Sequence, residues 1–129
     1  MLVVDDEADI TRGVKMGLES RGFAVDAYND PVEAVSGFKP GAYDLVILDI
    51  KMPRMNGFQV YRELKKTDQD VKVWFFTAFE VYQDEFSKIF PDVKVQKFLK
   101  KPMLMSFLAG EVNRFLDGSG ADGAANRGV

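Results

Sequence analysis

The sequence contains no cysteine and no histidine. Without cysteine there can be no disulfide, no thiolate zinc site and no cysteine nucleophile, a composition that suits a reducing compartment. Without histidine the chain lacks the commonest general base and the commonest transition-metal ligand, so Ser-His and Cys-His mechanisms are excluded. No apolar run is long enough to span a bilayer, and the N-terminus has no basic region of the signal-peptide kind, so the expected location is the cytoplasm. Charge of either sign is scarce in excess: the net charge is -3 and the pI about 5.0. Nothing overall draws the chain to nucleic acid or to anionic lipid. Any chemistry must come from carboxylates, hydroxyls, lysines and metal ions that prefer oxygen.

What is present is an ordinary globular balance, 47% hydrophobic and 29% charged over 129 residues, enough for one domain with a substantial core. Its centre is Tyr43 to Gly57. Leu45 to Leu48 form an unbroken apolar run, as in a parallel strand covered on both faces, and the run stops at Asp49. Pro53 and Gly57 shape the loop that follows. The carboxyl ends of strands are where open parallel sheets bind ligands, so Asp49 is a candidate site residue as well as a candidate helix cap.

The rest of the chain alternates in the same way. Met1 to Val4 reads as a strand ending in Asp5-Asp6-Glu7, and the helix after it carries Ile10, Val14, Gly17 and Leu18 up to Gly22. Asp6 and Asp9 suit that helix's first turn. Phe23 to Ala27 is expected as a second strand, and Asp30-Pro31-Val32-Glu33 as a capping box opening a short helix to Phe38. After Gly57, helical spacing of Phe58, Tyr61 and Leu64 predicts a third helix. Val71 to Phe76 is expected as a strand ending at Thr77-Ala78, followed by an aromatic helix over Glu80 to Phe90. Its apolar excess, with Phe79, Val81, Tyr82, Phe86 and Phe90, marks either a docking face or a buried cluster. Val95 to Leu99 is the fifth strand, ending at Lys100-Lys101-Pro102, and a last helix carries Leu104, Phe107, Leu108, Val112, Phe115 and Leu116. Residues 1–116 form the expected domain. Residues 117–129, poor in large apolar side chains, read as a flexible tail or truncated linker.

Five strand-helix units predict an α/β fold, a flavodoxin-like doubly wound five-stranded parallel sheet in the order 2-1-3-4-5. Asp5, Asp6, Asp49, Thr77 and Lys101 then converge on one sheet edge, and strand two carries no such residue. Three carboxylates in one pocket repel unless a cation sits among them, and Mg2+ fits that donor set. With Lys101 and Thr77 the inventory suits phosphoryl transfer to Asp49: the carboxylate attacks phosphorus, Lys101 neutralises phosphoryl charge and Thr77 donates a hydrogen bond.

These residues resemble a response-regulator receiver domain of two-component systems over about Leu2 to Leu116. The motifs are Asp5-Asp6, Asp49 with Met52-Pro53 and Asn56-Gly57, Thr77-Ala78 and Lys101-Pro102. The resemblance implies that Asp49 is phosphorylated and binds Mg2+ with Asp6. It further implies that Asp5 acts through metal-bound water, that the Lys51 carbonyl is a ligand, and that Thr77 and Phe98 form a switch. It implies a histidine kinase or phosphotransfer protein as donor, and an output protein or missing output domain as recipient. A phosphorylation-dependent homodimer is one mode of output, with no role for nucleic acid or membrane, and no enzymatic turnover beyond self-phosphorylation and self-dephosphorylation. An aspartyl-phosphate phosphohydrolase is the alternative, although such enzymes usually place a second acid where Lys51 stands. A flavodoxin-like cofactor binder would want a phosphate-cradling loop after strand one, and that loop here is acidic.

Overall fold

The structure is a computed structural model that describes residues 1–78, 88, 91 and 97–119. The helix expected over 80–90, its aromatic patch, the start of the strand expected from Val95, and residues 120–129 lie outside the described residues, Lys88 apart. Five parallel strands, β1 (Leu2–Val4), β2 (Asp26–Tyr28), β3 (Val46–Leu48), β4 (Val73–Thr77) and β5 (Lys97–Lys100), form one sheet in the order β2-β1-β3-β4-β5. That is the expected order. The described helices are α1 (Ala8–Glu19), α2 (Pro31–Gly37), α3 (Gly57–Thr67) and α4 (Met105–Arg114), and α4 runs on into a π-helical turn, Phe115–Ser119.

Both faces of the sheet are covered, which explains why β1 and β3 are apolar at every position and β4 at every position but its last, Thr77. Side chains still alternate. Leu2, Val4, Val46, Leu48, Val73 and Phe75 pack with Ala34, Phe58, Val60, Tyr61 and Leu64 beneath α2 and α3. Val3, Ile47, Trp74, Phe76 and Leu99 pack with Val14, Leu18, Leu108 and Val112 beneath α1 and α4. Each large aliphatic or aromatic side chain fully buried in this way contributes about 1.5–3 kcal/mol of transfer free energy.

Several boundaries move. The second strand starts at Asp26 rather than Phe23, because Phe23 and Val25 pack beneath α1 before pairing with β1 begins. Thr77 is the last residue of β4, not the residue after it, and it pairs with Lys100. Asp6 does not cap α1: Glu7 occupies the cap position and no side chain among the described residues caps that helix, while Asp9 pairs with Arg12 at 2.8 Å. Asp30 accepts from the Val32 N–H at the start of α2, but the reciprocal capping box is found at Asn56 and Gln59, which open α3. The Lys101–Pro102 peptide is cis.

Candidate functional site

Backbone register assembles the site before any side chain is considered. Val4 and Leu48 are paired across β1 and β3, so the residues that follow them, Asp5 and Asp49, emerge side by side. The Asp49 N–H continues the ladder, donating to the Val4 carbonyl at 2.9 Å. At the other seam the Lys101 N–H donates to the Thr77 carbonyl at 2.9 Å, which carries β5 one residue further up the same edge. Asp5, Asp49, Thr77 and Lys101 are all buried, and Asp6 is exposed. Asp6, Glu7, Asp49, Lys51, Thr77 and Lys101 line a cavity of about 290 Å³ at this edge. A larger cavity, about 800 Å³, lies beside Tyr28 and Tyr43 at the β2 edge; it gathers no carboxylate cluster, so volume does not locate the chemistry.

Lys101 is the electrostatic centre. Its Nζ donates to Asp5 Oδ2 and lies 3.5 Å from Asp49 Oδ2 and 3.8 Å from Glu7 Oε1. Burial alone would lower its pKa, but the hydrogen bond to Asp5 and the charges of Asp5, Asp49 and Glu7 outweigh burial and raise it. Asp5 responds differently. Burial pushes its carboxyl above the usual carboxylate range, opposed by Lys101 and the Glu7 N–H and assisted by the Asp49 charge. One ammonium shared among three acids satisfies none of them fully. Asp49 is tied down from below: its Oδ1 accepts the Ile50 N–H at 2.8 Å.

Carboxylate oxygens of Asp5, Asp6 and Asp49 lie within 4.8 Å of one another. Oxygens on a single octahedral Mg2+ lie about 3–4 Å apart, given its bond length. A modest closing of three side chains would bring these acids to that spacing, and a hard cation would supply the charge that Lys101 alone does not. The donor set therefore fits Mg2+. Lys51 follows Asp49 by two positions and lines the same cavity, so a second acid of the phosphohydrolase kind is missing here.

The loop after Asp49 is tightly closed. The Gly57 N–H donates to the Ile50 carbonyl at 2.7 Å, and a Cβ at Gly57 would stand 2.2 Å from the Asp49 carbonyl oxygen. Arg54 has φ 74° and an ion pair to Asp30, so the same loop is tethered to the start of α2. Phe98 is half-buried and stacks obliquely on Phe75, with centroids 5.4 Å apart.

Sequence reasoning missed two participants. Glu7 was visible only as one acid of a run, and its approach to Lys101 depends on how the turn folds. Asn29, just past β2, donates from Nδ2 to the Asp5 carbonyl at 2.9 Å, so the strand expected to contribute nothing reaches the site through its next residue. An amide at a strand's carboxyl end was the available signal.

The model of the response regulator receiver domain matches residues 1–113. The uncharacterized transcriptional regulatory protein YkoG of Bacillus subtilis is 29% identical over 120 residues, covering 93% of this chain and 52% of that protein. Sensor kinase CckA of Brucella abortus is 34% identical over 119 residues, 91% of this chain and 12% of that one. The chain thus spans about half the length of curated relatives such as YkoG and the response regulator MprA of Mycobacterium leprae, and much less of CckA. Among solved structures, the response regulator TrrA of Thermotoga maritima, in complex with Mg2+-BeF, matches at TM-score 0.73 and 34% identity, over 88% of this chain and 95% of that one. The non-phosphorylated HemR receiver domain of Leptospira biflexa matches at TM-score 0.80 and 25% identity, over 96% and 97%. These relationships do not favour the phosphohydrolase. An acidic, lysine-centred pocket at the carboxyl edge of a 2-1-3-4-5 sheet and a family match over nearly the whole chain agree: this chain belongs to the response regulator receiver domains, and is homologous to the phosphorylatable regulators of two-component signalling.

Proposed function

We propose that this domain is a phosphorylation-activated switch that accepts a phosphoryl group on Asp49 from a histidine kinase or phosphotransfer protein, in a Mg2+-dependent reaction. The observation that carries the reading is the placement of Lys101 Nζ among Asp5, Asp49 and Glu7 beside a cavity also lined by Thr77. Asp5, Asp6 and Asp49 would hold the cation, with the Lys51 carbonyl as a further ligand. When bound, Mg2+ supplies charge neutralisation at the phosphoryl oxygens. A carboxylate oxygen of Asp49 attacks phosphorus, an acyl-phosphate O–P bond forms, and the donor's P–N bond breaks with its electron pair leaving on the histidine nitrogen. Lys101 offsets the charge on the phosphoryl group, and Thr77 donates its hydroxyl proton to a phosphoryl oxygen. Hydrolysis of the same bond, with water taking the phosphoryl group as inorganic phosphate, restores the Asp49 carboxylate and resets the domain, so self-phosphorylation and self-dephosphorylation are the turnover in this reading.

The output is a change of shape read by a downstream protein or by an output domain beyond this chain, with a phosphorylation-dependent homodimer as one form it can take. Thr77 and Phe98 are the switch pair of this reading. The setting is the cytoplasm, with no membrane or nucleic-acid contact by this chain; no described helix is long and apolar enough to cross a membrane. Incubation with Mg2+ and acetyl phosphate, followed by mass mapping, tests the assignment: labelling is expected on Asp49 alone and lost in Asp49→Asn. Undiminished labelling of that folded variant would overturn it.

A further inference from the structure

The acidic turn between β1 and α1 carries three like charges, Asp5, Asp6 and Glu7, and leads into a helix whose first turn has no side-chain cap among the described residues. Like charges in sequence push a turn open, so something must hold this one shut. Asp5 is held at each of its polar groups: its N–H donates to the Tyr28 carbonyl at 3.1 Å, its Oδ1 accepts from the Glu7 N–H at 2.9 Å, its Oδ2 accepts from Lys101, and its carbonyl accepts from Asn29. Asp6 is exposed, so the direction of its carboxylate depends on the backbone of that turn.

Asn29 uses its amide twice. Nδ2 donates to the Asp5 carbonyl at 2.9 Å and to Thr11 Oγ1 at 2.8 Å. A flipped amide would set its oxygen against the Asp5 carbonyl, acceptor facing acceptor, so the backbone itself fixes the orientation. Thr11 is 3% exposed and its hydroxyl proton goes to the Ala8 carbonyl at 3.1 Å. One side chain from beyond β2 therefore spans the acidic turn, with one hydrogen bond to the end of β1 and one to the first turn of α1. The tie is neutral, unlike Lys101, and neither Asn29 nor Thr11 lines the cavity.

We propose that Asn29 is a positioning residue for divalent-cation binding: by clamping the Asp5 carbonyl to Thr11 it holds the acidic turn closed and keeps the Asp6 carboxylate opposite Asp49. The inference rests on the reading that Asp5, Asp6 and Asp49 hold Mg2+, and it adds a residue outside that ligand set. Outer-shell hydrogen bonds to metal ligands are worth about 10–100-fold in affinity where they have been removed. Here the bond acts on a ligand's backbone rather than its carboxylate, which places the effect at the lower end, about tenfold. Loss of the amide also loosens the turn in the absence of metal, because the repulsion among the acids is then opposed only by the bonds that remain at Asp5, to Lys101, the Glu7 N–H and the Tyr28 carbonyl.

The experiment is calorimetric titration of the full chain with Mg2+, in parent, Asn29→Ala, Thr11→Val, Asp6→Ala and the core control Val71→Ala, well below each melting temperature. Amide hydrogen exchange at Asp6 and Glu7 is measured in parallel without metal. Asn29→Ala is expected to weaken Mg2+ binding about tenfold and speed exchange at both amides. Val71→Ala should lower the melting temperature and leave the Mg2+ affinity at the parent value, which a merely structural role for Asn29 would also do. If Asn29→Ala does not fold, Thr11→Val, which removes one of the two acceptors, should still weaken binding by a few-fold. Parent-like affinity and exchange in Asn29→Ala, or parent-like affinity in Thr11→Val, overturns the inference alone. A parent that takes up no Mg2+, or an Asp6→Ala variant that binds as the parent does, overturns the cation reading and this inference with it.

Discussion

At the scale of single residues, the site is dominated by the shortage of positive charge around its carboxylates. Asp5 is 2% exposed and Lys101 is the cation bonded to it, so Lys101→Met would leave a buried carboxylate without its partner, a change that typically costs about 3–5 kcal/mol. A bound cation at the acid cluster would take over part of that role. Urea unfolding of Lys101→Met should therefore show a large loss of stability in EDTA and a clearly smaller one in excess Mg2+; equal losses would mean that no cation reaches Asp5. Asp6→Ala runs the other way. Removing an exposed acid from the cluster relieves repulsion, so the metal-free protein should melt at the same temperature or slightly higher, while Mg2+ should stabilise it less than it stabilises the parent. Far from the site, Tyr43 donates its hydroxyl to Asp26 Oδ2 at 2.7 Å, and burial together with the Asp26 charge pushes its pKa up to about 12. Its proton is held more tightly in the folded state than in the unfolded chain, where a tyrosine titrates near pH 10. The stability this represents is complete below about pH 10 and is lost as pH rises toward 12. Tyr43→Phe should melt with a shallower fall over that interval, a difference visible by circular dichroism.

At the scale of elements, the join between β3 and α3 sets where Asp49 sits. Helix α3 begins with a reciprocal cap between Asn56 and Gln59, and its first residue, Gly57, packs directly on the backbone of Asp49 and Ile50. A methyl group at Gly57 would meet a carbonyl oxygen at 2.2 Å and a Cα at 3.0 Å, and neither can turn aside as a flexible side chain could. Gly57→Ala should therefore cost about 1–3 kcal/mol, the usual range for overpacking. It should also weaken Mg2+ binding although no carboxylate has been changed, because the strain is relieved by moving the end of β3. Parent-like stability and affinity in Gly57→Ala would show that the loop gives way elsewhere. Helix α1 is fixed by other means. Gly17 leaves room for Met105 of α4, whose Cγ would stand 2.2 Å from a Cβ at that position, so the two helices on that face lie close together.

At the scale of the whole molecule, a sheet covered on both faces joins the site to distant surfaces through two separate layers of side chains. Thr77 ends β4, and Phe75 on the same strand touches Phe98 of β5 within the layer beneath α2 and α3. A phosphoryl group on Asp49 that draws Thr77 toward it would change the space available to Phe98 if that layer has two arrangements. Two-dimensional NMR with beryllofluoride as a phosphoryl mimic should show shifts running from Asp49 through Thr77 to Phe98. In Thr77→Ala the shifts should stop at the metal pocket; shifts confined to that pocket in both proteins would refute the switch. The indole Nε1 of Trp74 is buried in the other layer with no hydrogen-bond partner among the described residues, and its ring lies edge-on to Phe115 with centroids 5.2 Å apart, so the lone tryptophan reports on the packing of α4 and the turn that follows it and not on the switch layer.

The sequence by itself determined the fold class, the strand order and the edge to which the candidate site residues come. Unbroken apolar runs cannot be half-exposed strands, and charged or hydroxyl residues that end such runs must surface at the same end of a parallel sheet. It also named Asp5, Asp6, Asp49, Thr77 and Lys101, which the folded chain brings to one edge, because their signal is local: a polar residue interrupting an apolar strand. The tertiary structure alone decided what depends on contacts between segments far apart in the chain. Lys101 meets Asp5 across 96 residues, and Asn29 reaches the Asp5 carbonyl across 24. Strand boundaries shifted by up to three residues at Asp26, since pairing with β1 rather than apolar character sets where β2 starts. No periodicity records such pairings. Sequence spacing says which end of a strand a residue occupies, and only the register of the assembled sheet says which other residue it faces.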